Sequence, residues 1–134
     1  MIPALALCAA LLGGTPTFAT GFCTCVGPRT EAEAVRFNDV VFEGRVVRVR
    51  PVAYGDGFRG YIYTFVVTRW RKGTPIRTID VLTGEGGGDC GMAFDEGRIH
   101  TVYAHRDDGD RLWTTICSGP SLPSPREPHS GGVR

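Results

Sequence analysis

The sequence predicts a mainly β domain: five strands closed into a small barrel, one short helix and two disulfide bonds. Three observations carry that reading. The chain has 134 residues with 19 Gly and 9 Pro, enough length for one core and a composition that opposes long helices. From Val40 onward, apolar residues alternate with polar ones in runs separated by turn residues, which is the period of strands. Four of the five cysteines (Cys23, Cys25, Cys90 and Cys117) follow a segment patterned as an export signal, and an even number in an oxidising compartment implies bridges.

Residues 2–19 carry no charge, and Ala4 to Leu12 has the length of a signal h-region before Gly13-Gly14-Thr15-Pro16 ends it. A bilayer span would need roughly 20 apolar residues. Cleavage after Ala19 or Gly21 satisfies the small-residue rule, so residues 1–21 are expected to be a secretory signal. The product is then secreted (extracellular, periplasmic or in the cell envelope) without a membrane span. Processing also removes Cys8. A Cys23–Cys25 bridge would close a very tight ring. Both cysteines are therefore expected to tie the N-terminal end to Cys90 and Cys117, and the residues alone leave the two pairings open. A zinc site fits poorly, because one Cys-x-Cys and two lone cysteines lack paired Cys-x-x-Cys spacing.

Thr30-Glu31-Ala32-Glu33 reads as a capping box opening a helix from Glu31 to Asn38 that buries Ala34, Val35 and Phe37. Val40 to Arg50 is a first strand, with Gly44 marking a bulge and Val47 and Val49 on the face opposite Arg48 and Arg50. Tyr54 to Gly60 is a turn-rich connector. Tyr61 to Trp70 is the clearest strand, with Tyr61, Tyr63, Phe65 and Val67 on one face. After the Arg71-Lys72-Gly73-Thr74-Pro75 turn, Ile76 to Thr83 forms a third strand, and Gly84 to Gly91 is a flexible loop carrying Cys90. Arg98 to His105 is the fourth strand, Asp107 to Asp110 a hairpin turn, and Leu112 to Ile116 the fifth, ended by Cys117. The Pro/Ser-rich tail, residues 120–134, is expected to be disordered. Residues 22–119 are thus the domain. Five strands this short avoid exposed edges most economically as a Greek-key barrel of the OB type, with a two-sheet sandwich as the alternative.

Cys23-Thr24-Cys25-Val26 resembles the N-terminal Cys-Thr-Cys-Val of the tissue inhibitors of metalloproteinases, a netrin-type family. The similarity continues at Asp39-Val40-Val41-Phe42-Glu43-Gly44 and Trp70-Arg71-Lys72-Gly73. It is strongest at Asp89-Cys90-Gly91, Phe94, Gly97, Val102-Tyr103-Ala104 and Cys117-Ser118-Gly119. The chain looks like a stand-alone bacterial form of that domain. The resemblance implies an OB-type barrel with the N-terminal segment pinned outside it by Cys23–Cys90 and Cys25–Cys117 bridges. It also implies that Cys23 would ligate the zinc of a partner protease through its amine and carbonyl, that Thr24 would enter the specificity pocket, and that Gly88 and Asp89 would complete the contact with Cys25 and Val26. An amine ligates zinc only if Cys23 is the first residue, and both favoured cleavages leave Phe22 ahead of it.

Other constellations exclude more than they offer. A net charge of +1 gives no global pull toward nucleic acid or a membrane surface. Gly84 to Gly88 lacks the Lys-Ser/Thr of a phosphate loop, and Asp107 to Asp110 lacks the spacing and closing Glu of a calcium loop. His100, His105 and His129 are scattered, and no Ser/His/Asp signature is present. Tyr61, Tyr63 and Phe65 lie near Arg45, Arg48, Arg50, Arg69 and Arg71, but an aromatic strand face is more often core than a base-stacking platform. The expectation is a non-enzymatic, cofactor-free, secreted protein-binding domain, with an extracellular zinc metalloproteinase as partner and no nucleic acid. The alternative is a cell-envelope or extracellular interaction or structural module that inhibits no protease.

Overall fold

The computed structural model describes residues 23–121; the expected signal, residues 1–21, and the tail from residue 122 lie outside the described residues. One helix and five strands follow in the expected order: α1 (Glu31–Phe37), β1 (Val40–Ala53), β2 (Arg59–Lys72), β3 (Thr78–Gly84), β4 (Ile99–Arg106) and β5 (Leu112–Trp113). Among the described residues, no helix is long and apolar enough to cross a membrane.

The helix begins as its sequence specifies. Thr30 Oγ1 accepts from the Glu33 amide at 3.2 Å, while the Glu33 carboxylate accepts from the amides of Arg29 at 2.7 Å and Thr30 at 3.2 Å. Those two amides, Arg29 first, hold the Glu33 carboxyl below its usual range. The helix stops one residue earlier than expected, because Asn38 takes extended dihedrals. Two turns present one narrow stripe to the sheet, and Ala34 fills it; Val35 is half-buried and Phe37 is 65 % exposed, not buried as the pattern suggested.

The strands pair in the closed order β1-β2-β3-β5-β4, a five-stranded closed barrel. All pairs are antiparallel except β3 with β5, which meet in parallel at Leu82 and Trp113. The long β1 strand serves two neighbours by changing register three times, once at Glu43/Gly44 where a bulge was expected. A further shift between Val46 and Arg48 skips Val47. That slip turns Val46 inward and leaves Val47 51 % exposed, so the expected alternation of Val47 with Val49 is broken at the bulge.

Tyr63, Phe65 and Phe42 line the interior, with Tyr61, Val67 and Trp70 packed at its margins. Phe94, from the connection between β3 and β4, closes it edge-on to Tyr63 at 5.1 Å and Phe65 at 5.2 Å. The aromatic face of β2 is therefore core. Burying each such ring stabilises the fold by about 1.5–3 kcal/mol. β5 is shorter than the sequence suggested, but Thr114 still donates to Leu82 O at 2.9 Å and Ile116 to Cys90 O at 3.0 Å. Cys117 lies in the turn that follows, not at a strand end.

Candidate functional site

The segment before α1 has no strand partner; covalent bonds hold it in place. Cys23 is bonded to Cys90, 67 residues away, with their Cα atoms 5.2 Å apart. Cys25 is bonded to Cys117, 92 residues away, at 5.1 Å. Of the two pairings open to the residues alone, this is the one the resemblance implied. The bridges lie against each other, with Cys23 Sγ 3.6 Å from Cys117 Sγ. Three sulfurs, of Cys23, Cys25 and Cys117, fall within 4.8 Å of one another, but bridged sulfur offers no thiolate to a metal.

Gly27 makes the close approach possible. A Cβ there would collide with the carbonyl oxygen of Cys117. Pro28 is buried, and its carbonyl accepts from the Ser121 amide at 3.1 Å, so the two ends of the described chain meet beside the bridges. Thr24, Cys25 and Val26 are left on the outside, with Val26 99 % exposed. A cleft of about 260 Å³ runs behind them, bounded by Val26, Pro28 and the exposed Ile116.

The glycine-rich loop carrying Cys90 was expected to be flexible, but it is cross-braced. The Asp89 carboxylate accepts from the amides of Glu85 at 2.8 Å, Gly86 at 2.9 Å and Gly91 at 2.8 Å. Partial desolvation pushes its pKa up, but the amides of Gly91, Glu85 and Gly86 outweigh that and hold it below the usual carboxylate range. A single 3-10 turn, Gly87–Asp89, leads into Cys90, which sits at φ 58°. Two of its glycines serve contact and two serve freedom: a Cβ on Gly84 would strike the Asp89 carboxylate and one on Gly91 the backbone of Gly84 and Gly86, while Gly86 and Gly87 take φ of 106° and 72°.

Of the residues singled out from sequence, Cys23, Thr24, Cys25 and Val26 thus form one ridge, and the Cys23–Cys90 bond fastens the loop of Gly88 and Asp89 to it. Asp89 faces its own loop through its carboxylate, so its evident work is bracing. Gly27 and Ile116 belong to the ridge as well. The sequence reading missed both, although a glycine directly after Cys-x-Cys-Val was the available sign.

The chain matches no protein-family model, and a search of curated proteins finds no match.

A second constellation lies at the β4–β5 turn, where the sequence suggested only a hairpin. Asp107 Oδ2 accepts from Arg111 Nε and from Trp113 Nε1, both at 2.7 Å, and Oδ1 accepts from the amides of Gly109 and Arg111 at 2.9 Å. The Arg111 guanidinium also lies over the Tyr54 ring at 5.0 Å, and Phe58 meets Trp113 edge-on at 4.9 Å. The β1–β2 and β4–β5 turns are thereby locked together.

Proposed function

We propose that this is an exported domain that binds a protein through the ridge Cys23–Val26, in the manner of the metalloproteinase inhibitors it resembles. The observation that carries the reading is Val26, fully exposed on a segment fixed by two covalent ties and by the close contact at Gly27. A segment held in one conformation before docking loses little entropy on docking, so a small exposed edge can bind well. Support for an OB-type Greek-key barrel comes from the closed order β1-β2-β3-β5-β4 and its single parallel contact. In this reading Thr24 enters the partner's pocket, the backbone around Gly88 lies alongside, and Asp89 keeps that backbone in shape. The domain has no catalytic role and needs no cofactor.

Inhibition of a zinc protease requires a free Cys23 amine at the metal. A residue ahead of Cys23 converts that amine to an amide, which is a poor ligand. The second reading, an interaction module of the cell envelope without protease inhibition, is favoured by Phe22, which both expected cleavages leave in place. N-terminal sequencing of the exported protein, followed by inhibition assays on zinc proteases with chains beginning at Cys23 and at Phe22, separates the two. Inhibition by the Cys23 form alone supports chelation. Equal potency of both forms excludes it, and inactivity of both leaves the envelope module.

A further inference from the structure

The outer face of the sheet holds a cleft that shares no residue with the ridge. Ile62 on β2 and Leu82 on β3 are register partners. They point away from the interior residues Tyr63, Phe65, Ile79 and Val81, because side chains alternate along a strand. Alternation alone would place Leu82 in solvent, yet it is 3 % exposed. The locked β1–β2 and β4–β5 turns stand beside it, and between them opens a cleft of about 260 Å³ with Ile62, Leu82 and Leu112 as its apolar floor.

The rim is charged but balanced. Two guanidiniums, of Arg106 and Arg111, face two carboxylates, of Asp80 and Asp110. Arg106 pairs with Asp110 at 3.1 Å and Arg111 with Asp107 at 2.7 Å. Asp80 pairs with Arg50 at 3.2 Å and accepts from Thr64 Oγ1 at 2.6 Å. Every rim charge has an opposite neighbour, and the turn that supplies half of them is braced by Asp107.

We propose that this cleft binds an uncharged carbohydrate. One sugar unit would rest its C–H face on the half-buried Ile62, with the buried Leu82 closing the floor beside it, and place its hydroxyls against the rim. A hydroxyl both donates and accepts, so it can donate to Asp80 or Asp110 while accepting from Arg106 or Arg111 without breaking a pair. An anion would have to compete with a carboxylate for each guanidinium. An extended peptide would find no ladder to join, since β2 and β3 spend their facing backbone groups on each other from Gly60 to Val66 and from Thr78 to Gly84. A wholly apolar ligand would strip water from the rim and give nothing back. An apolar floor with a few fixed polar groups is also the usual make-up of a small-ligand site.

The test is titration of the full exported chain, 15N-labelled, with three neutral probes: cellohexaose, maltohexaose and chitohexaose. At least one should shift the amides of Ile62, Leu82 and the 106–112 turn while leaving residues 23–29 unmoved. Ile62→Arg fills the floor from a half-buried outer position and should weaken binding by about tenfold or more, equivalent to about 1.4 kcal/mol. Asp110→Gly removes the rim carboxylate, where the side chain is 84 % exposed, and suits the backbone's φ of 63°, so it should fold normally and weaken the same probe. The proposal is overturned if no probe moves the cleft amides at millimolar concentration. It is equally overturned if both variants bind as wild type, or if single-stranded DNA or a heparin fragment occupies the cleft in place of the neutral sugars.

Discussion

Lys72 Nζ donates to the Asn38 carbonyl at 2.6 Å, and the same ammonium reaches the carbonyls of Val35 at 2.9 Å and Arg36 at 3.3 Å. All three of its donors are spent on the last turn of α1, where the helix dipole favours a cation. The adjacent Arg71 pairs with Glu31 at the other end of the helix. The Asn38 side chain then passes the connection on, donating to Ala34 O and to Ser118 O at 2.8 Å each. Through these contacts the end of β2 holds α1, and α1 holds the turn that carries Cys117.

Lys72→Met removes the clamp while keeping the length of the side chain. Hydrogen bonds to a charged group contribute about 1.5–3 kcal/mol, so a loss of about 2–3 kcal/mol is expected in urea unfolding at neutral pH. Lys72→Arg should lose less, since it keeps the charge. A Met variant as stable as wild type would show that water satisfies those carbonyls equally well.

Gly91→Ala should be among the most damaging single-methyl additions in the chain. Its Cβ would meet main-chain atoms of Gly84 and Gly86, which cannot turn aside, and a loss of about 2–4 kcal/mol is expected. Gly84→Ala meets the Asp89 side chain, which can rotate only by releasing three amides, so its cost should be intermediate. Gly55→Ala is the control, with no atom within 4 Å of the added carbon. Thermal unfolding ranks the three, and any order other than Gly91, Gly84, Gly55 contradicts the braced loop.

What the sequence made legible was local or arithmetical. The Thr30–Glu33 box lies within four residues, and its partners are fixed by helix geometry, so the motif and the hydrogen bonds agree. The set of bridged cysteines followed from counting. The pairing did not: geometry left two options, and only the resemblance chose between them. Val47 was misplaced because a bulge shifts the period by one, and nothing in Val46-Val47-Arg48 announces where the extra residue falls. Leu82 follows the alternation correctly and is buried all the same, because two distant turns cover it. Asp107 was recognised as a turn residue, but its hold on Trp113 depends on a register that no run of six residues encodes. Asp89 was read as part of a contact surface, and nothing in the sequence signalled that its carboxylate also satisfies three amides of its own loop.

Removing either bridge should cost about 2–5 kcal/mol, by the general behaviour of disulfides in small exported domains. The loops closed are 67 and 92 residues long, so chain entropy separates the two costs by only about 0.3 kcal/mol. Paired Cys→Ser variants, Cys23 with Cys90 and Cys25 with Cys117, compared by urea unfolding, should therefore lie close together. A larger loss for the second pair would mean that the Asn38–Ser118 connection fails with it. In the exported wild-type protein, alkylation without reductant should label none of Cys23, Cys25, Cys90 and Cys117, and labelling of all four would remove the basis of the ridge.

Asp107 gives the domain a specific acid response. Desolvation raises its pKa, but hydrogen bonds from Trp113 and Arg111, with the Arg111 charge, outweigh it and bring the carboxyl down from 3.8 to about 2. The folded value lies below the unfolded one, so the ionised carboxylate favours the fold. That contribution is complete above the unfolded pKa of about 3.9 and fades as pH falls through about 2. Asp107→Asn should accordingly be less stable than wild type at neutral pH, with the difference narrowing below pH about 4 and closing near pH about 2. Asp89 also titrates in acid, in both proteins alike, so the difference between them isolates Asp107. Urea midpoints of the pair measured from pH 7 down to pH 2 test this, and a gap that stays constant across that range would mean that Asp107 is not held by Trp113 and Arg111 in solution.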